Sequence, residues 1–192
     1  MFAIFLIGLH ACGKTSLGYN LSMAHNKEFV CTDAIIEQRF DMRISDLGKK
    51  FSLELYREKE RELMQELCED EAIYESIVDV GADIPLNPRF RDLMQNLGNV
   101  IYLKASPETI YEHLTKTKYV EGANTPSIVD INKIREAYYT HHKFYEMCAT
   151  DIIDVDGQGK EEVFIKANSI YTSLVKENIQ IEFDIRELGE EV

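Results

Sequence analysis

One run of residues, Gly8-Leu9-His10-Ala11-Cys12-Gly13-Lys14-Thr15, carries the strongest chemistry in the chain. Glycines at both ends of a four-residue spacer let the backbone curl until its N–H groups face inward, and such a ring of amides seats an anion. A lysine and a hydroxyl directly behind the second glycine suit a triphosphate. Lys14 matches the charge of the β- and γ-phosphates, and the Thr15 hydroxyl suits Mg²⁺. The pattern is G-x-x-x-x-G-K-[ST], with an apolar strand before it and a helical pattern after it. The candidate ATP-binding residues are therefore Gly8, Leu9, His10, Ala11, Cys12, Gly13, Lys14, Thr15 and Ser16, with His10 and Cys12 read as loop filler. Kinases, GTPases and ATPase motors all use such a loop. The sequence holds no N-K-x-D run for guanine, which disfavours a GTPase.

Acidic residues supply the second half of a reaction. Asp33 follows the second apolar run, in Val30-Cys31-Thr32-Asp33. Carboxyl ends of parallel strands share one edge of the sheet, so Asp33 is expected to face the phosphate loop. There it can accept or orient the proton of an attacking hydroxyl, which makes Lys14 and Asp33 the catalytic candidates. The competing role is an N-cap for the helix that follows. Downstream, Leu53, Tyr56, Glu60, Leu63 and Leu67 share one helical stripe, which Glu60 interrupts. A carboxylate on an apolar face needs a partner, and Arg57 lies one turn earlier. The pair would present a fixed guanidinium to an anionic or polyhydroxyl ligand; otherwise it is an exposed ion pair. The third strand ends Asp79-Val80-Gly81-Ala82-Asp83. Asp79 or Asp83 can reach Mg²⁺, while Gly81 lets the backbone approach an acceptor.

These residues need a scaffold that brings strand ends together. Apolar runs at Phe2–Ile7, Glu28–Thr32, Ser76–Val80, Val100–Leu103 and Ile152–Val155 read as strands buried on both faces. Helical patterns at Lys14–His25, Asp33–Phe40, Leu53–Glu71, Pro88–Asn96, Pro107–Thr115 and Asp130–Ala149 alternate with them. The expected fold is α/β, a parallel sheet with helices on both faces. The polar segment Lys116–Pro126 reads as a loop. After a core of residues 1–156, a helix from Glu161 to about Asn178 and a short strand over the alternating Ile179–Ile185 are expected in residues 157–192.

Composition narrows the classes further. The chain has 192 residues, 45% hydrophobic and 29% charged, and a net charge of −13. That length fits a domain able to bury a core without staples. A surface this acidic repels nucleic-acid backbones and anionic membranes. The first apolar run is too short to span a bilayer, and no membrane contact is expected. Cys12, Cys31, Cys68 and Cys148 form no C-x-x-C pair or zinc spacing, which suits reduced thiols and a cytoplasmic location.

From about Phe2 to Val155 the chain resembles the shikimate kinase family, in the wider nucleoside-monophosphate-kinase group of P-loop folds. The likeness rests on the phosphate loop, on Thr32-Asp33-Ala34-Ile35-Ile36-Glu37-Gln38-Arg39, and on Ile44-Ser45-Asp46-Leu47 with Tyr56-Arg57-Glu58-Lys59-Glu60. It extends to Val100-Ile101-Tyr102-Leu103 with Ser106-Pro107-Glu108. The resemblance implies a five-stranded parallel sheet of order 2-3-1-4-5, with Lys116–Pro126 as lid, and an ATP- and Mg²⁺-dependent kinase. It implies that Asp33 contacts the acceptor hydroxyl, Arg57 binds a substrate carboxylate and Glu60 holds Arg57. Departures cluster on the acceptor side. Cys31 replaces an acid, the triple glycine reads Gly81-Ala82-Asp83, the lid lacks R-P-L-L, and His141 stands for an arginine with Tyr145 kept. The expected acceptor is thus a small hydroxyl-bearing metabolite other than shikimate, bound among Asp33, Arg57, Glu60, Gly81, Asp83 and His141. The alternatives are a nucleoside or nucleotide kinase, or a nucleotide-binding module without transfer, in each case a monomer or homodimer.

Overall fold

The apolar runs become five strands: β1 Ala3–Ile7, β2 Glu28–Cys31, β3 Ser76–Asp79, β4 Gly98–Lys104 and β5 Asp151–Asp154. They are seen in a computed structural model, which describes residues 2–50, 52–117 and 129–190. All pairs are parallel, in the order β2-β3-β1-β4-β5. This is the expected α/β sheet. Every residue of β1 and β3 is buried, as a sheet covered on both faces requires.

Register explains why the site residues meet. Leu6 lies opposite Asp79 on one side and Ile101 on the other, while Cys31 also lies opposite Asp79. The chain leaves β1 into Gly8, leaves β2 into Asp33 and ends β3 at Asp79. Three adjacent strand ends therefore deliver the phosphate loop and two carboxylates to one edge.

Eight helices complete the described residues: α1 Lys14–His25, α2 Thr32–Phe40, α3 Ile44–Lys50, α4 Leu53–Glu69, α5 Pro88–Leu97, α6 Pro107–Thr117, α7 Ile131–Cys148 and α8 Lys160–Glu190. The short helix α3 was absent from the helical patterns above. Its Leu47 is buried with Ile36 and Leu63, so packing of α2, α3 and α4 defines it rather than a long periodic run. Short 3₁₀ turns cover Glu71–Glu75 and Ile84–Leu86.

The C-terminal expectation needs correction. Ile179–Ile185 is not a strand: α8 runs unbroken through it. No proline interrupts the stretch between Gly159 and Gly189, and an established helix propagates cheaply once nucleated. Alternation in Ile179, Ile181, Phe183 and Ile185 has no neighbouring strand to pair with. Earlier in α8, Val163, Ala167 and Tyr171 join the main core. Tyr171 stacks on His25 of α1 at 3.9 Å between ring centroids, and His25 Nε2 lies 2.7 Å from Asn168 Oδ1.

Candidate active site

The phosphate loop is shaped by left-handed backbone. Gly8 has φ 144° and Gly13 φ 106°, and the non-glycine Ala11 also sits at φ 63°. A Cβ on Gly8 would come within 2.8 Å of the Leu103 carbonyl oxygen, so β4 packs tightly under the loop. A Cβ on Gly13 would meet nothing within 4 Å, because the loop's mouth is open there. Gly13 caps α1, whose first N–H groups point into that mouth.

Lys14 is buried and folds back under the loop. Its Nζ donates to the carbonyl oxygens of Gly8 at 2.9 Å and Leu9 at 3.2 Å, and lies 3.9 Å from Asp79 Oδ1. Burial alone would discourage its charge. Cys12, Asp79 and Asp33 around it outweigh that cost and raise its pKa, so the ammonium is held ready. His10 is open to the cleft, yet the crowding loop and the charge of Lys14 lower its pKa and favour a neutral ring.

Asp79, the last residue of β3, sits beneath the mouth. Its Oδ2 accepts from Thr15 Oγ1 at 2.5 Å and from Cys31 Sγ at 3.8 Å, and its backbone oxygen accepts from Thr32 Oγ1. Burial raises its pKa, while Lys14 and the Thr15 hydroxyl oppose the rise. Of the two acids open for the metal, Asp79 is the one beside Thr15. A hydroxyl and a carboxylate side by side at an anion seat fit Mg²⁺, which keeps most of its water and takes few protein ligands. No group of three or more His, Cys, Asp or Glu able to hold a metal occurs among the described residues.

Asp33 lies in the first turn of α2, one residue inside it. Cys31 occupies the N-cap position, so Asp33 is free of the capping role. Its side chain borders a cleft of about 810 Å³ that is also lined by residues 10–17, Asn20 and Asp79. The carboxylate and the phosphate loop thus face one space, as the strand order demands. The far wall is His113, Leu114, Lys116, Val155, Gln158, Lys160 and Val163. Apart from Lys116, expected in the lid loop but found in α6, sequence reasoning missed these, since α6 and α8 carry no motif. His113 Nδ1 lies 2.8 Å from the Ala11 carbonyl oxygen, so its ring holds the loop to α6. Lys116 and Thr117 end α6, whereas residues 118–126 of the expected lid lie outside the described residues.

Behind Asp33 lies a second cluster, and here the expected pairing is corrected. Glu60 is not held by Arg57. Tyr56 Oη lies 2.9 Å from Glu60 Oε1 and 3.2 Å from Asp33 Oδ1. Both are one α4 stripe with buried Leu63, which places Tyr56 one turn before Glu60. An i,i+4 Tyr–Glu pair was the overlooked signal. Arg57 instead donates from Nε to Asp83 Oδ2 at 2.5 Å, and His141 Nε2 lies 2.8 Å from Asp83 Oδ1. Gly81 serves Glu60 as well: a Cβ there would fall 2.0 Å from Glu60 Oε1. Its missing side chain makes room for that carboxyl rather than for an acceptor.

Glu60 is almost fully buried, and burial pushes its pKa up to about 8 despite the Tyr56 hydrogen bond. The folded chain therefore binds a proton that the unfolded chain releases near 4.5. Between those values the folded state holds more protons, so stability falls as pH rises. Glu60→Gln is expected to remove that slope. Denaturant melts at about pH 5 and about pH 9 should show wild type losing on the order of 3 kcal/mol more than the variant.

Comparison with known proteins follows the same outline. A family model described as "Shikimate kinase" matches residues 10–171. The chain is 29% identical over 164 residues to the shikimate kinase of Enterococcus faecalis, covering 85% of this chain and 94% of that one. It is 30% identical over 166 residues to the shikimate kinase of Dictyoglomus turgidum, covering 84% and 92%. In fold it is similar to the shikimate kinase from Acinetobacter baumannii in complex with shikimate. The TM-score is 0.75, at 21% identity over 92% of this chain and 94% of that one.

Proposed function

The chain belongs to the shikimate kinase family, and from that premise we propose that it moves the γ-phosphoryl group of ATP to a hydroxyl of a small metabolite bound beside Asp33. The observation that carries this reading is the shared cleft. Lys14, Thr15, Asp79 and Asp33 all line it.

Each group has a task that its geometry allows. The loop amides and Lys14 hold the phosphates, Lys14 giving up its contacts to the Gly8 and Leu9 carbonyls for phosphate oxygens. Thr15, with Asp79 behind it, would hold Mg²⁺. When bound, that ion neutralises charge on the phosphates. The acceptor oxygen attacks the γ-phosphorus as the bond to the β–γ bridging oxygen breaks, and ADP leaves with that electron pair. Asp33 takes the acceptor's proton. Tyr56, which bridges Asp33 and Glu60, keeps the Asp33 carboxylate aimed into the cleft. Cys12, Cys31, Cys68 and Cys148 are free thiols, and no helix among the described residues is long and apolar enough to cross a membrane.

A coupled assay of ADP release over a panel of polyols, hydroxy acids and nucleosides tests the proposal. Acceptor-dependent turnover is expected, falling by about 10²-fold or more when EDTA strips Mg²⁺. ATP binding without transfer to any acceptor would favour the reading as a nucleotide-binding module.

A further inference from the structure

Two side chains, an arginine and a histidine, converge on one point. Arg57 comes from α4 and His141 from α7, and both aim at a single carboxylate-sized place. His141 Nδ1 also lies 2.7 Å from the Ala137 carbonyl oxygen. Nδ1 also lies 2.8 Å from Thr140 Oγ1, so the ring is held on its own helix while Nε2 faces Asp83. A guanidinium and an imidazole nitrogen directed at one place form an anion seat.

The chain fills that seat with its own carboxylate. Asp83 gives Oδ2 to Arg57 and Oδ1 to His141, so each oxygen is taken. These partners, His141 foremost, hold its pKa down to about 2. The backbone on either side is fastened. Tyr145 Oη donates to the Ala82 carbonyl oxygen at 2.9 Å, and Arg91 Nη1 donates to those of Pro85 and Leu86. The backbone at Asp83 is therefore fixed, and its side chain leaves the seat only by giving up both Arg57 and His141. Tyr56, the residue before Arg57, touches Asp33 and Glu60, and Gly81, two residues before Asp83, abuts Glu60, so the two carboxylates border one region.

We propose that Asp83 is a built-in carboxylate which occupies the anion seat of Arg57 and His141, so that the acceptor is an uncharged polyol. With Arg57 neutralised by Asp83, the charge left facing the acceptor is that of Asp33. A ligand that brought its own carboxylate would find Arg57 already paired and two like charges, Asp33 and Asp83, beside it. Hydroxyls, by contrast, find acceptors and donors in Asp33, Tyr56 and the Asp83–Arg57 pair. The inference rests on the kinase reading in placing the acceptor beside Asp33.

Calorimetry with the full chain, ADP and Mg²⁺ tests it, using shikimate, its uncharged methyl ester and the uncharged cyclitol myo-inositol as probes. Wild type is expected to bind at least one uncharged probe, and to bind the acid about tenfold or more weakly than the ester. Asp83→Asn keeps the shape and Asp83→Ala opens the seat. Both should bind the acid about tenfold or more tightly than wild type, and Arg57→Ala placed on Asp83→Ala should erase the gain. Equal binding of acid and ester by wild type, no gain in either variant, or no binding of any uncharged probe overturns the inference. Selective binding without turnover would instead count against phosphoryl transfer and leave the role of Asp83 standing.

Discussion

Lys14→Ala is expected to lower kcat by about 10³-fold or more and to abolish the rise in Tm that ATP gives the wild type. The reason is positional. The ammonium is held under the loop by the Gly8 and Leu9 carbonyls, 3.9 Å from Asp79, where it meets the phosphates with its charge already desolvated. Charge that is preorganised in a buried site does not have to be gathered as the phosphoryl group moves. Alanine also removes the Lys14 hydrogen bonds to two loop carbonyls, so Lys14→Met, which keeps most of the stem, separates lost charge from a collapsed loop. Near-normal turnover in the methionine variant would remove Lys14 from the mechanism.

The second large effect is expected at Asp33. Asp33→Asn should cost about 10²–10⁴-fold in kcat, while the KM for ATP stays within about twofold. Asparagine preserves the oxygen that accepts from Tyr56 and fits the same place in the first turn of α2. What it loses is the ability to take a proton. A steady-state titration of both substrates checks this split. An asparagine variant with unchanged kcat would mean that Asp33 merely orients the acceptor or lies off the reaction path.

The phosphate loop was legible because everything it needs is contiguous. Glycines at 8 and 13 supply the positive φ angles, and Lys14 and Thr15 follow in the same turn. The sheet was legible because strands buried on both faces must be apolar throughout, as β1 is. Asp33 could be aimed at the loop from topology alone, since parallel strands end on one edge. Spacing suggested that Arg57 and Glu60 belong together, and the family resemblance added Asp83 and His141 to them.

Who pairs with whom was not legible. Arg57 has Glu60 three residues away, yet its carboxylate is Asp83, twenty-six positions on and delivered by β3. Glu60 turned instead to Tyr56 and to the space that Gly81 leaves. The alternation at Ile179–Ile185 misled for a related reason: a strand forms only where another strand offers its edge, whereas α8 closes its hydrogen bonds within itself. The order of residues by itself determined the anion loop, the strands and the end of the sheet at which chemistry occurs, because these follow from short-range sterics and burial. Only the folded chain decided which acid neutralises which cation, because an ion pair is chosen by the distance between side chains that separate elements bring together.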